Sequence, residues 1–376
     1  MSRLFAACLL IFALVGQPAA QLAPEPPEID AKAHLLIDYH SGRVLSSFRP
    51  DARMHPASLT KIMTVFVAFS ELRAGRVSPD DMVTISSEAR KMGGSRMFVE
   101  VGSKVRLEDL LKGVVVQSGN DASVAVAEHI SGTEAQFVKL MNRYAASLGM
   151  QRTQFENAHG LTASEHYTTA RDMVTLSRAL IATFPKYYAW HRLKEFLHNN
   201  IPQRNRNRLL WDDPSVDGIK TGHTSAAGYC LAASAQRGAM RLLSVVMGAK
   251  SPGARARFSK ALLNYGFNNF ETRLLYKAGA DITKVRVWQG KQEQLQLGLK
   301  DQVILTFPRG RYSALSAEVT VPPELTAPIA AGAALGDMQI LLDGRVMVER
   351  ELVALHGIEQ GSWWQQLSDR VRLMLE

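Results

Sequence analysis

Ser58 and Lys61 stand three residues apart in HPASLTKIMTV, where an apolar helical run begins. Helix N-termini carry a partial positive charge and favour acidic side chains, so a lysine there has the wrong sign for a structural part. A serine that only capped the helix would be better matched by glutamate at the third position. At spacing i, i+3 the two side chains share a face. A lysine held among apolar residues near a positive helix end loses its proton more readily than one in water. A neutral amine can then take the serine proton and make the hydroxyl a nucleophile. Alone, the S-x-x-K spacing is weak, because roughly one or two matches arise by chance in a chain of this composition.

Two further matches follow in order. QSGNDAS sets Ser118 and Asn120 either side of Gly119 at a predicted junction between helices, a context that a plain turn and cap also fits. GIKTGHT sets Lys220, Thr221 and Gly222 at the end of a predicted strand, which a solvated hairpin edge would also explain. S-x-x-K, S-x-N and K-T-G in this order form the motif set of penicillin-binding proteins and serine β-lactamases. With PASLTKIMT, QSGNDASVA, FENAHGLTASEHYTTARDM, VDGIKTGHTSAAGYCLAAS and FETRLL, the chain resembles the low-molecular-mass penicillin-binding proteins, the D-alanyl-D-alanine carboxypeptidases of bacterial cell-wall metabolism. The likeness covers nearly all of the mature chain. It departs at Ala158, where the family usually has proline before His-Gly-Leu; a local loop effect is expected.

The resemblance implies an α/β (α+β) catalytic domain of the serine β-lactamase/DD-peptidase type, an antiparallel sheet flanked by helices. Ser58 would be the nucleophile, Lys61 its base and Ser118 the proton relay to the departing amine. Asn120 would hold the substrate amide. Lys220 and Thr221 would bind the terminal carboxylate, with help from Arg255 of SPGAR and from Arg206. Gly222 would let substrate lie along the strand edge as an added strand. The oxyanion would be met by the backbone N–H groups of Ser58 and His223. The substrate would be a peptidoglycan stem pentapeptide ending in D-Ala-D-Ala, and β-lactams would acylate the same serine.

The elements that must position these residues can be read from periodicity. After the proline-rich APEPPEID, a hairpin turns at Ser41-Gly42. A helix from Ser58 to Gly75 carries one apolar face, and further helices are predicted at 106–117, 121–131, 134–148 and 170–183. VDGIKTGHT, GYCLAASAQ and MRLLSVVMG read as strands, the last two joined at Arg237-Gly238 and followed by a helix at 254–265. Strands at both ends with helices between predict one sheet sandwiched by helices, a catalytic domain over residues 21–270. Short alternating stretches from 271 to 360 predict an all-β, sandwich-like domain. In residues 361–376, Trp363, Trp364, Leu367, Val371, Met374 and Leu375 fall opposite Gln365, Gln366, Asp369, Arg370 and Arg372. That pattern predicts an amphipathic helix lying in a membrane interface, with a terminal helix packed on the β domain as the alternative.

Residues 1–20 follow a signal-peptide order: Arg3, an apolar stretch from Leu4 to Val15, then small residues to Ala20. Export to the periplasmic face of the inner membrane is the expected location. Cys8 would leave with that segment, so Cys230 is the lone mature thiol and no internal disulfide forms. Its strand-like setting predicts a buried, inert side chain. The net charge of +9 is concentrated in QRNRNR and ARARFSK, yet export argues against nucleic acid and for anionic membrane or carboxylate-bearing substrates. The ten histidines form no zinc motif, and no metal or organic cofactor is called for.

Three rival readings differ in what they require. A serine β-lactamase needs a carboxylate that activates water, for which Glu156 and Glu165 are the candidates, though neither sits in a water-positioning motif. A DD-endopeptidase would use the same catalytic residues. A silent wall-binding protein would have no use for Ser58, Lys61, Ser118 and Lys220 together.

Overall fold

The computed structural model describes residues 24–375, so the expected export segment lies outside the described residues. The described chain enters through the expected hairpin, β1 (Ala33–Asp38) and β2 (Val44–Phe48). A 3-10 turn over Ala57–Leu59 leads into α1 (Thr60–Arg73). Then come β3 (Met82–Thr84), α2 (Ser87–Lys91), β4 (Lys104–Arg106), α3 (Leu107–Val116), α4 (Asn120–Ser131), α5 (Glu134–Ser147), α6 (Ala170–Thr183) and a short α7 (Pro185–Tyr188). A small hairpin, β5 (Glu195–His198) and β6 (Ile201–Arg204), precedes α8 (Leu209–Asp212). The long strands β7 (Val216–Thr224), β8 (Gly228–Arg237) and β9 (Met240–Ala249) follow, and α9 (Pro252–Asn269) closes this part.

Five strands form an antiparallel sheet in the order β2-β1-β9-β8-β7. Successive side chains of a strand point to opposite faces. In β9, Leu243, Val245 and Met247 join the core under α1 and α6, while Leu242 and Val246 join the core under α9. β8 divides likewise, Cys230 and Ala232 against Leu231, Ala233 and Ala235. A strand buried on both faces reads as a continuous apolar run, which is why LAASA and LLSVVM carry so little polar alternation. β7 pairs only with β8, so its other edge is open.

Three expectations are corrected here. Helix α1 begins at Thr60, and Ser58 sits in the preceding 3-10 turn. Residues Thr60–Leu72 are buried on all sides, because α1 threads between the sheet and helices α3 to α6 rather than lying on a surface. Helix α9 spans 252–269 rather than 254–265: Ser251 caps the Ala254 N–H, and Pro252 occupies the first turn, where its missing N–H is not needed.

Beyond Phe270 the chain is β-rich. β10 (Phe270–Tyr276), β11 (Asp281–Trp288), β12 (Gln294–Leu299), β13 (Val303–Pro308), β14 (Leu315–Thr320), β15 (Leu325–Thr326), β16 (Ala334–Leu342) and β17 (Arg345–Ala354) make a two-stranded sheet, β10-β13, and a six-stranded one, β14-β16-β17-β12-β11-β15, around a third core. Polar contacts join this domain to the catalytic sheet. Thr272 Oγ1 donates to Asp38 at 2.7 Å, Ser41 and Thr306 hydroxyls meet at 2.6 Å, and Arg43 donates to the Thr306 carbonyl at 2.6 Å. Last comes α10 (Trp363–Leu373), started by a capping box of Ser362 and Gln365. Its Trp363, Trp364, Leu367 and Val371 are exposed, and the two indoles stack 3.7 Å apart. The alternative of a tail packed on the β domain by its apolar face therefore fails; α10 is held instead by polar contacts, among them Asp369, which accepts the Gln289 N–H at 2.7 Å. Among the described residues no helix is long and apolar enough to cross a membrane.

Candidate active site

The turn that carries Ser58 is clamped from several sides. Thr60 Oγ1 donates to the Ala57 carbonyl at 2.8 Å and accepts from His166 Nε2 at 2.8 Å. His166 Nδ1 accepts the Glu156 N–H, so its proton is on Nε2, and burial lowers its pKa to about 4. Ala57 itself adopts φ 49°, a sparsely populated region for a residue with a Cβ. On one side Gly160 lies so close that a Cβ would stand 2.0 Å from the Ala57 carbonyl oxygen. On the other, a Cβ at Gly222 would meet Pro56 O at 3.1 Å and Leu59 N at 3.2 Å. Gly222 thus lets the nucleophile turn seat against β7, a reason different from the expected room for substrate. Gly160→Ala should push the turn out of place and slow acylation by a fluorescent penicillin about 10²-fold. A wild-type rate in that variant would contradict the close packing.

Lys61 is 1% exposed, and its Nζ has three neighbours: Asn120 Oδ1 at 2.6 Å, the His159 carbonyl at 2.5 Å and Ser58 Oγ at 3.2 Å. Two of these can only accept. A neutral amine has two N–H bonds and one lone pair. With both N–H groups donated to Asn120 and His159, the lone pair faces Ser58 Oγ, whose hydroxyl can donate to it. Burial brings the Lys61 pKa from 10.5 down to about 7; Asp121 works against that fall and Arg206 adds to it. The direction is the expected one, with desolvation as the largest cause.

Ser118 precedes α4 in a left-handed conformation, φ 66°. Its Oγ is buried and has no hydrogen-bond partner, although it lines the cleft. The expected bridge from Lys61 to Ser118 is absent in this state, because Asn120, His159 and Ser58 occupy the amine. Asn120 is correspondingly engaged, its Nδ2 donating to Gly93 O at 2.6 Å.

Across a cleft of about 340 Å³ runs the open edge of β7, with Thr221, Gly222 and His223 in the lining. Lys220 is buried and donates to Thr221 O at 3.0 Å. Burial lowers its pKa, and the charges of Lys61, Arg206 and Arg255 push the same way. The two amines therefore compete for charge, and a neutral Lys61 makes a protonated Lys220 easier to hold. Arg255 is no surface cation: it is buried, lines the cleft and donates to Gly222 O at 2.8 Å. Its pKa falls with burial to about 10, and its guanidinium lies over the Tyr229 ring, on whose plane His223 stacks at 4.0 Å. Arg206 lines the cleft with an exposed side chain.

Some site residues were not foreseen. The His159 carbonyl holds Lys61, and the loop bearing it is pinned by Thr64 Oγ1 donating to Ala158 O at 2.6 Å and by Ala158 N–H donating to Glu134 at 2.8 Å. Proline at 158 could not make the second bond, so the Ala158 departure is tied to Glu134. Cys230 is buried, its thiol pKa pushed up to about 11, as its setting predicted. Glu156 accepts the Glu165 N–H, and Glu165 pairs with Arg53 at 2.8 Å; neither lines the cleft. The water-activating carboxylate of a β-lactamase is not supplied by them.

Residues 20–251 match the D-alanyl-D-alanine carboxypeptidase family, and residues 270–360 match the penicillin-binding protein 5 C-terminal domain. The chain belongs to the D-alanyl-D-alanine carboxypeptidase family of serine peptidases. It is 43% identical to D-alanyl-D-alanine carboxypeptidase DacC of Escherichia coli over 94% of this chain and 91% of that one. It is 42% identical to DacA of the same organism, over 94% and 90% of the two chains. Penicillin-binding protein 5 of Haemophilus influenzae has a similar structure, with a TM-score of 0.86 and 41% identity over 90% of this chain and 100% of that one. The two family matches together cover the catalytic domain and the β domain behind it.

Proposed function

We propose that this chain is a serine D-alanyl-D-alanine carboxypeptidase that trims peptidoglycan stem pentapeptides through an acyl-enzyme on Ser58. The observation that carries this reading is the Lys61 amine, held by two acceptors with its remaining valence toward Ser58 Oγ. Ser58 attacks the carbonyl of the penultimate D-Ala as its proton passes to Lys61. The backbone N–H groups of Ser58 and His223 stabilise the oxyanion. Ser118, whose hydroxyl is free, relays the proton to the departing D-Ala nitrogen. Water then attacks the ester with Lys61 again as base, releasing a stem one residue shorter. Lys220, Thr221, Arg255 and Arg206 receive the terminal carboxylate, while Asn120 holds the substrate amide. β-Lactams enter the same route and stay as esters. Release of one equivalent of free D-alanine from a pentapeptide supports the reading; cleavage of cross-linked dimers without such release would favour the endopeptidase.

The exposed indoles and aliphatic residues of α10 support peripheral attachment of the exported enzyme to the periplasmic face of the inner membrane. Arg370 and Arg372 suit an anionic surface. Deleting residues 362–376 should abolish co-sedimentation with vesicles containing anionic lipid while leaving turnover of a soluble pentapeptide near wild type. Retained sedimentation would remove the anchor from this account.

A further inference from the structure

The α4 side of the cleft hangs on one carboxylate that does not line it. Asp121 is fully buried. Its Oδ1 accepts the N–H groups of Met97 at 2.8 Å and Ala122 at 2.9 Å, and its Oδ2 those of Phe98 at 2.8 Å and Val99 at 3.4 Å. All four partners are backbone donors, an arrangement that suits an ionised, acceptor-only carboxylate. Beside it, the Asn120 N–H donates to Ser95 O at 2.7 Å and the Asn120 side chain to Gly93 O at 2.6 Å. Residues 93–99 are therefore suspended from 120–121, and this segment brings Gly94 and Ser95 to the cleft.

The charges around Lys61 make Asp121 more than a peg. From α4 the amine meets neutral Asn120, and from the loop it meets the His159 carbonyl. The His159 ring is neutral, its pKa brought by burial to about 3, and the Ser58 hydroxyl is neutral too. From the segment before α8 comes a cation, Arg206, and from β7 the amine of Lys220, which competes with Lys61 for charge. Asp121 is the negative group, among the described residues, that acts on this amine. A base that must return its proton to a leaving group cannot be stripped of proton affinity altogether.

We propose that Asp121 is a positioning residue of acyl transfer, suspending the 93–99 wall opposite β7 and supplying the counter-charge that balances Lys220 and Arg206 around the Lys61 amine. The inference rests on the roles given to Ser58 and Lys61 above. The test is the pH profile of acylation by a fluorescent penicillin in Asp121→Asn, which keeps one oxygen for Met97 and Ala122. Loss of the negative charge should move the acid limb of that profile downward by about one pH unit, with a plateau lowered about tenfold. A purely structural role would lower the plateau and leave the limb where it is, and that result overturns the proposal. If the asparagine variant does not fold, Asp121→Ser is titrated with formate and with formamide. Return of the limb with formate alone agrees with the charge role, and equal or no effect of the two refutes it. Covalent labelling persists in either variant, so a failure here is distinct from a failure of the Ser58 assignment, which would show instead as labelling that persists in Ser58→Ala.

Discussion

Ser58→Ala forms no covalent adduct with penicillin, and its release of D-alanine from a pentapeptide falls by about 10⁴-fold or more. The size of the effect follows from the loss of the attacking atom, which no neighbour replaces. Ser95 and Ser118 also bring hydroxyls to the cleft, but neither is bonded to Lys61, so neither has a base to activate it. The variant should still fold, because the hydrogen bond lost, to Lys61 at 3.2 Å, is at the partly open mouth of the cleft. Intact-mass measurement after incubation with penicillin reads the outcome directly. An adduct of undiminished yield in Ser58→Ala would mean that another nucleophile does the chemistry.

The second large effect concerns the proton. With Lys61 titrating near 7, the acylation rate should climb about tenfold per pH unit below that point and level off above it. The sign follows from the role: a base works in its deprotonated form, so activity is lost on the acid side. Lys61→Arg keeps a cation in the same place but cannot release a proton at these pH values. It should lose about 10³-fold in acylation and show no acid limb near 7. Measuring the second-order rate constant from pH 5 to 9 in both proteins checks the prediction. A wild-type profile that is flat across 7 would separate Lys61 from the proton transfer.

Much of this arrangement was legible in the residues. Strand β7 covers the nine residues VDGIKTGHT as expected, and a turn-forming Thr-Ser-Ala-Ala-Gly segment ends it. The helices α3 to α6 begin and end within about a residue of expectation, since Thr133 and Thr169 cap two of them and the apolar spacing carries the rest. The short pairs β3-β4 and β5-β6 escaped notice, being three or four residues long and too brief to show a period. What the sequence withheld at the site is of one kind. The His159 carbonyl that grips Lys61 is a backbone atom, and any residue type offers one. The crowding behind Gly160 and Gly222 depends on three segments meeting, and Asp121 in SGND looks from the sequence like an ordinary first-turn acid. Arg255 was named from SPGAR as a helper at the carboxylate end, but its burial was not legible, because that depends on β7 and Tyr229 closing over it.

The most direct measurement is the titration of the Lys61 amine itself, followed by NMR of enzyme carrying ¹⁵N-labelled lysine and assigned by the signal missing from Lys61→Arg. The account predicts a lysine resonance that changes protonation state close to pH 7 in the unacylated enzyme. If that amine stays fully protonated to pH 9 and beyond, as a lysine in water does, it cannot be the base that activates Ser58.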